Sequence, residues 1–301
     1  MTLTVEELML ELTRQLTGAD LFYGHGTDNP EDEAAELVFF AAGLRHEQAP
    51  ECYLQRLDAQ VVAKARSLVK RRIDERLLAA AYLTQRMWFA GHEFYVDERV
   101  LVPRSPIAEL IHAQFQPWLV PAKVERVLDI GTGSGCIAIA CALAFPAAQV
   151  DAADISADAL AVTKINIKRH QLMDRARAVQ SDVFSGLAGQ RYDLIVSNPP
   201  YVSHAEMDDL PTEYLREPEL GLRAGADGLD VVRRILAEAE SHLQPHGLLV
   251  VEVGDSEVAL AEAYPSVPFL WLEFEYGGGG VFMLTAEQLA AHRAALAAGV
   301  A

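Results

Sequence analysis

Asn198-Pro199-Pro200-Tyr201 combines residue types able to hold a planar nitrogen for alkylation. An amide or aromatic amine is a poor nucleophile because its lone pair is delocalised, so a site for it must grip both hydrogens of the NH2 group and aim the nitrogen. Asn198 offers a side-chain carbonyl, and Pro199 a backbone carbonyl that the ring-locked φ helps to aim. Tyr201 can lay an aromatic face beside a cationic methyl donor. No strong base is required: the nitrogen becomes acidic only as the new bond forms, and positioning and electrostatics supply most of the rate. Asn198, Pro199 and Tyr201 are therefore the candidate catalytic residues. A bland turn is the competing reading, but a tyrosine presented after a doubly rigid Asn-Pro-Pro is an odd way to build one.

The tetrapeptide follows an apolar run, YDLIVS, that reads as a strand. A second strand, VERVLDIG, leads into Gly131-Thr132-Gly133-Ser134-Gly135 and the helix CIAIACALAF, where glycines permit a tight turn and close approach of a ligand. The G-x-G-x-G spacing departs from the dinucleotide fingerprint G-x-G-x-x-G. Asp154 ends the next strand, nineteen residues after Gly135, where α/β nucleotide sites put a carboxylate on the ribose hydroxyls. Ser156 and Asp158 are available to cap the following helix, leaving Asp154 for a ligand. Asp182 either accepts from an adenine amine or caps a helix.

These runs alternate with helical patterns from Pro121 onward, which predicts a mostly parallel sheet with helices on both faces. The runs PFLWLEFEYG and GGVFMLTA are expected to end the chain as a strand hairpin at one sheet edge. Leu8, Leu12 and Leu16, then Val61, Ala65 and Leu68, recur at helical spacing, and Asp28-Asn29-Pro30 reads as a helix start. FYVDERVLVPR alternates around Asp97-Glu98 and predicts a linking hairpin. The expected organisation is a helical substrate-recognition domain over 1–90, a β-hairpin linker over 91–105 and an α/β domain over 106–301.

Of the 301 residues, 51% are hydrophobic and 23% charged, which excludes a disordered chain. A net charge of −18 would repel a phosphate backbone and suits a basic protein partner better. Cys52, Cys136 and Cys141 form no CxxC pair and read as buried apolar residues, and Pro245 separates His242 from His246, so no metal site is expected. The longest apolar run, Cys136 to Phe145, is ten residues against the ~20 that cross a bilayer. With acids where a signal peptide carries bases, the expectation is a cytoplasmic protein that engages no membrane. The acids of MDDLPTEYLREPEL read as a solvated flap that could also meet a basic substrate.

Together these residues resemble the class I S-adenosylmethionine-dependent methyltransferases, whose Rossmann-like sheet has seven strands. Along nearly the whole chain, VPR, DIGTGSGCIAIA, YDLIVSNPPYV, EPELGL, RRIL and VEVG are similar to the protein-(glutamine-N5) methyltransferases that modify release factors and a ribosomal protein. The resemblance implies S-adenosyl-L-methionine as cofactor. It implies that Gly131, Thr132, Gly133, Ser134 and Gly135 cradle its amino acid end and that Asp154 holds its ribose. Ile155, Asp182 and Val183 would border adenine, and Asn198 to Tyr201 would hold the glutamine amide, with Asn198 also facing the cofactor. Arg104 is either a further substrate contact or one half of a surface ion pair.

The release-factor branch typically carries Pro-Arg-Pro-x-Thr-Glu where this chain reads Pro103-Arg104-Ser105-Pro106-Ile107-Ala108-Glu109, and tends to place tryptophan at the position of Val183. The first departure selects the ribosomal-protein branch, and the second weakens stacking on adenine and shifts that contact toward Ile155. The substrate is then a basic large-subunit protein or an assembly intermediate of the ribosome. The alternatives are release-factor methylation, adenine-N6 methylation of nucleic acid, and a silent cofactor-binding module that docks on the ribosome. Adenine chemistry requires a basic groove that the sequence lacks, so no sequence-specific nucleic-acid binding is expected.

Overall fold

Thr4 and Glu7 close a reciprocal capping box, with Thr4 N donating to Glu7 Oε2 at 2.8 Å, and start helix α1 (Val5–Thr17). Asn29 caps α2 (Pro30–Ala42), whose first residue is the expected proline, and Asp58 caps α3 (Ala59–Asp74). A short α4 (Ala80–Thr84) follows. In this computed structural model residues 3–24, 26–75 and 80–299 are described, and the chain divides into two units. The first comprises Met1–Met87, Val96–Glu98 and Pro211–Arg216; the second comprises Trp88–Tyr95, Arg99–Leu210 and Glu217–Ala301.

The first unit packs Leu8, Leu12 and Leu16 of α1 against Leu37 and Val38 of α2 and Ala65, Leu68 and Val69 of α3. Arg72, 1% exposed, is satisfied inside it by Glu33 Oε1 at 2.8 Å and the Phe22 carbonyl at 2.9 Å. Glu213 joins the same cluster by accepting from the Phe22 N–H at 2.8 Å. The expected solvated flap is thereby corrected. Glu206, Asp208 and Asp209 are exposed, but Glu213 and Glu217 are buried and ion-paired.

A two-stranded hairpin, β1 (Met87–Phe89) and β2 (His92–Phe94), turns at Ala90 and Gly91, both at positive φ. This hairpin lies ahead of the expected FYVDERVLVPR, whose Phe94 ends β2 and whose remaining residues contain no strand. That segment alternates in burial without a strand partner, because side chains take its ladder role. Asn166 Oδ1 accepts from Tyr95 N at 2.8 Å and Glu217 Oε1 from Val102 N at 3.0 Å.

The remaining strands are β3 (Arg126–Ile130), β4 (Gln149–Asp154), β5 (Ala176–Gln180), β6 (Tyr192–Ser197), β7 (Leu243–Glu252), β8 (Leu270–Trp271) and β9 (Val281–Thr285). Among the described residues they form one seven-stranded sheet in the order β5-β4-β3-β6-β7-β9-β8, parallel except for β9, which runs antiparallel to both its neighbours. Interleaving of helices α5 (Ile107–His112), α6 (Cys136–Ala144), α7 (Ala157–Arg169), α8 (His204–Met207), α9 (Asp230–His242) and α10 (Glu257–Ala263) explains the direction. Successive strand residues feed two separate cores: Val127, Leu194 and Val250 pack on the α5–α6 face, Leu128, Ile195 and Val251 on the α9 face. The chain does not end on β9. Thr285 and Gln288 close another capping box, and α11 (Ala286–Ala291) and α12 (Arg293–Ala298) follow. Among the described residues no helix is long and apolar enough to cross a membrane.

Candidate active site

The strand order reverses at β3, which lies between β4 and β6 and opens a crevice at its carboxyl end. Register sets what emerges there. Ile130 pairs with Ala153 on one side and Ser197 on the other, so Gly131, Asp154 and Asn198 are the next residues out on three adjacent strands. They line one cavity of about 1040 Å³ including its open mouth. Gly133, Ile155, Asp182 and Val183 line it too, with Pro199 and Pro200.

The glycine loop is shaped from behind by residues that do not reach the cavity. Gly135 caps α6 at φ +83°, and a Cβ there would stand 2.9 Å from Thr163 Cγ2. Thr132 donates to Asp129 Oδ2 at 2.6 Å, and the Ser134 carbonyl accepts from Asn166 Nδ2 at 2.8 Å. At Gly133 a Cβ would meet no atom within 4 Å, because the backbone faces open space. Thr132, Ser134 and Gly135 therefore fix the cradle, while Gly131 and Gly133 form its surface.

Asp154 spans the loop and the next helix: its Oδ2 accepts from Gly133 N at 2.9 Å and its Oδ1 from Ser156 N at 2.8 Å. Burial raises its pKa against those hydrogen bonds. Beneath it Asp129 is fully buried and keeps Oδ1 without a partner; burial, helped by the charge of Asp154, pushes its carboxyl up to about 7. Val183 takes a left-handed φ of +51°, unusual for a β-branched residue and worth roughly 1–2 kcal/mol of strain. Ser181 Oγ holds it there by donating to the Val183 carbonyl at 2.7 Å. Asp182 is paired with Arg234 of α9 at 2.8 Å.

Asn198 is half-buried at the cavity wall, and neither its side-chain amide nor the Pro199 carbonyl has a hydrogen-bond partner among the described residues. Tyr201 does not line the cavity. Its carbonyl accepts from Ser256 Oγ at 3.0 Å, and its ring lies against Gly254, where a Cβ would fall 2.6 Å from Cε2. Arg104 also stands outside the cavity, in a bidentate pair with buried Glu217 at 2.6 and 2.7 Å.

A family profile described as Methyltransferase small domain matches residues 114–224. The chain is 49% identical to the ribosomal protein uL3 glutamine methyltransferase of Xanthomonas campestris pv. campestris, over 97% of this chain and 94% of that one. It is 44% identical to the protein of the same name from Francisella tularensis subsp. tularensis, over 96% and 92%. The chain belongs to the uL3 glutamine methyltransferase family. Among solved structures, the hMettl16 catalytic domain in complex with a MAT2A 3′UTR hairpin shares the fold, with a TM-score of 0.51 at 18% identity over 75% of this chain and 80% of that one.

Sequence reasoning missed several residues in or near this cavity. Arg99, Arg223 and Arg234 line the cavity, and nothing in local sequence separates them from surface arginines. Pro218, Leu220 and Gly221 also line it; the signal was the EPELGL motif, to which no role was attached. Glu252, at the end of β7, is 5% exposed, and burial pushes its carboxyl up to about 7 against a hydrogen bond from Ser105 and the charge of Arg104. Its signal was an acid closing an otherwise apolar strand, VEVG. Among the described residues no group of three or more His, Cys, Asp or Glu side chains could hold a metal, and the three cysteines are buried and free.

Proposed function

We propose that the protein transfers a methyl group from S-adenosyl-L-methionine to the side-chain amide nitrogen of one glutamine in ribosomal protein uL3. The observation that carries this reading is that Asn198 and Pro199, whose side-chain amide and carbonyl have no hydrogen-bond partner among the described residues, line the cavity that also holds Gly131, Gly133 and Asp154.

The residues present fit the cofactor. Gly131 and Gly133 leave backbone exposed where a side chain would fill the cradle, Asp154 retains lone pairs for ribose hydroxyls, and Ile155 and Val183 give apolar faces for a planar base. Bound S-adenosylmethionine supplies a methyl group activated by a sulfonium. The chain does the rest by orientation. Asn198 Oδ1 and the Pro199 carbonyl each accept one N–H of the substrate amide, which directs the nitrogen lone pair into the cavity and strengthens both hydrogen bonds as the nitrogen gains positive charge. The rigid Pro199-Pro200 backbone keeps the second acceptor from rotating away. The amide proton becomes acidic as the nitrogen–carbon bond forms and leaves afterwards, without a dedicated base.

A net charge of −18 favours a basic ribosomal protein over nucleic acid, although an adenine amine would fit the same clamp. In this reading the helical region 1–90 recognises the substrate in the cytoplasm, and Arg104 acts through Glu217 to fix the segment that walls the cavity. Incubation with labelled cofactor and either purified uL3, release factor or nucleic acid tests it. Label in uL3, mapped by mass spectrometry to one glutamine, is expected; label only in nucleic acid or release factor would overturn the assignment.

A further inference from the structure

Residues of three motifs, VPRS, EPELGL and VEVG, meet in one polar network. Arg104 pairs with Glu217, and Ser105 Oγ donates to Glu252 Oε2 at 2.5 Å. The Tyr201 hydroxyl stands 3.5 Å from Glu252 Oε1. We propose that Glu252 is a positioning residue which, braced by Ser105, holds the phenol of Tyr201 and so fixes the chain segment that carries the Asn198-Pro199 clamp. The inference rests on the glutamine-methylation reading and deepens it.

Register brings the parts together. Ser197 of β6 pairs with Val251 of β7, so Asn198 and Glu252 are the next residues out on adjacent parallel strands. The chain just past β7 then touches Tyr201 at three places: Glu252 faces the hydroxyl, Gly254 lies under the ring and Ser256 donates to the carbonyl. A carboxyl buried at a strand end is expensive, and an apolar residue would close the strand at lower cost. Glu252 is therefore explained by what it orders. Ser105 supplies its short hydrogen bond, and the 3.5 Å phenol contact is at the long limit, as contacts that tighten only with substrate bound often are.

The test uses the full chain, labelled cofactor and uL3. Glu252→Ala is expected to lower kcat by about tenfold or more while cofactor Kd stays within about threefold, and Glu252→Gln, which keeps an acceptor of the same shape, to recover most of the loss. In a Tyr201→Phe background Glu252→Ala should cost less than about twofold further, because the carboxyl acts through the phenol. Unchanged kcat in Glu252→Ala, or full additivity with Tyr201→Phe, would overturn the proposal. Fluorotyrosine NMR of the chain alone gives a second measure that needs no substrate. The Tyr201 resonance, identified by its loss in Tyr201→Phe, should move in Glu252→Gln and in Ser105→Ala, and a stationary resonance in both overturns the brace. Failure of the wild-type chain to methylate uL3 would defeat the substrate reading, and the NMR result would still decide the role of Glu252.

Discussion

Asp151 and Asp154 lie three residues apart on β4, both buried, at 3% and 9% exposure, yet their surroundings are opposite. Asp151 accepts from Arg126 at 3.0 Å, from Arg177 at 2.5 and 3.0 Å and from the Tyr192 hydroxyl at 2.7 Å. Burial alone would raise its pKa, but the Arg177 and Tyr192 hydrogen bonds and the arginine charges hold it below the usual carboxylate range. Asp154 receives two backbone N–H groups, and burial dominates. Burial likewise dominates at Asp129, inside β3, and at Glu252, at the end of β7. The contrast teaches how one strand separates its tasks: Asp151, saturated by arginines, locks strands together, whereas Asp154, with lone pairs to spare, lines the cavity.

The comparison breaks most decisively at the clamp. Asn198→Ala is expected to lower methyl transfer by about 100- to 1000-fold, with cofactor affinity by calorimetry nearly unchanged. Next, Asp154→Ala should weaken cofactor binding by about 1.5–3 kcal/mol, about 10- to 150-fold in Kd. Asp151→Asn should lower unfolding free energy by about 1.5–3 kcal/mol while leaving cofactor Kd within about twofold. If denaturant titration and calorimetry instead showed that Asp151→Asn weakened cofactor binding as Asp154→Ala does, the division of tasks between them would be wrong.

The smallest expected effect concerns pH. Asp129 and Glu252 have folded pKa values raised to about 7, so between about pH 4 and about 7 the folded chain holds protons that the unfolded chain has released. Their contribution to stability is therefore greatest at the acid end of that window and falls as pH rises through it. Asp151, with a depressed value, acts in the opposite sense: its contribution is present above its unfolded pKa and is lost only as pH falls below that. Denaturant midpoints should rise on moving from about pH 7.5 to about 5.5, and Glu252→Gln should shrink the rise. His92 and His170, whose pKa values burial lowers, oppose this rise, so the decisive comparison is between chains: an equal pH response in Glu252→Gln and the unaltered chain would contradict the assignment of Glu252.

The strand-end residues were readable because their position is set locally. A glycine loop after a strand, an acid ending the next strand and Asn-Pro-Pro after another identify one rim of a parallel sheet once the alternation of strands and helices is recognised. The segment from 201 to 223 was not readable in this way. Glu213 and Glu217 look like their solvated neighbours until distant arginines, Arg72 and Arg104, are brought to them by the fold. FYVDERVLVPR misled for a related reason: its alternation records burial, but Asn166 and Glu217 replace the partner strand that alternation ordinarily signals. The helices after β9 had a visible cap in Thr285-x-x-Gln288, which the apolar strand pattern before it overshadowed.

The central claim is that two oxygens grip one amide. A crystal structure of the protein with a non-reactive cofactor analogue and a uL3 peptide containing the modified glutamine tests it most directly. The account predicts the glutamine NH2 at about 2.8–3.2 Å from both Asn198 Oδ1 and the Pro199 carbonyl, with the nitrogen facing the cofactor cavity. A glutamine held by other groups, or an amide oxygen turned toward that cavity, would contradict it.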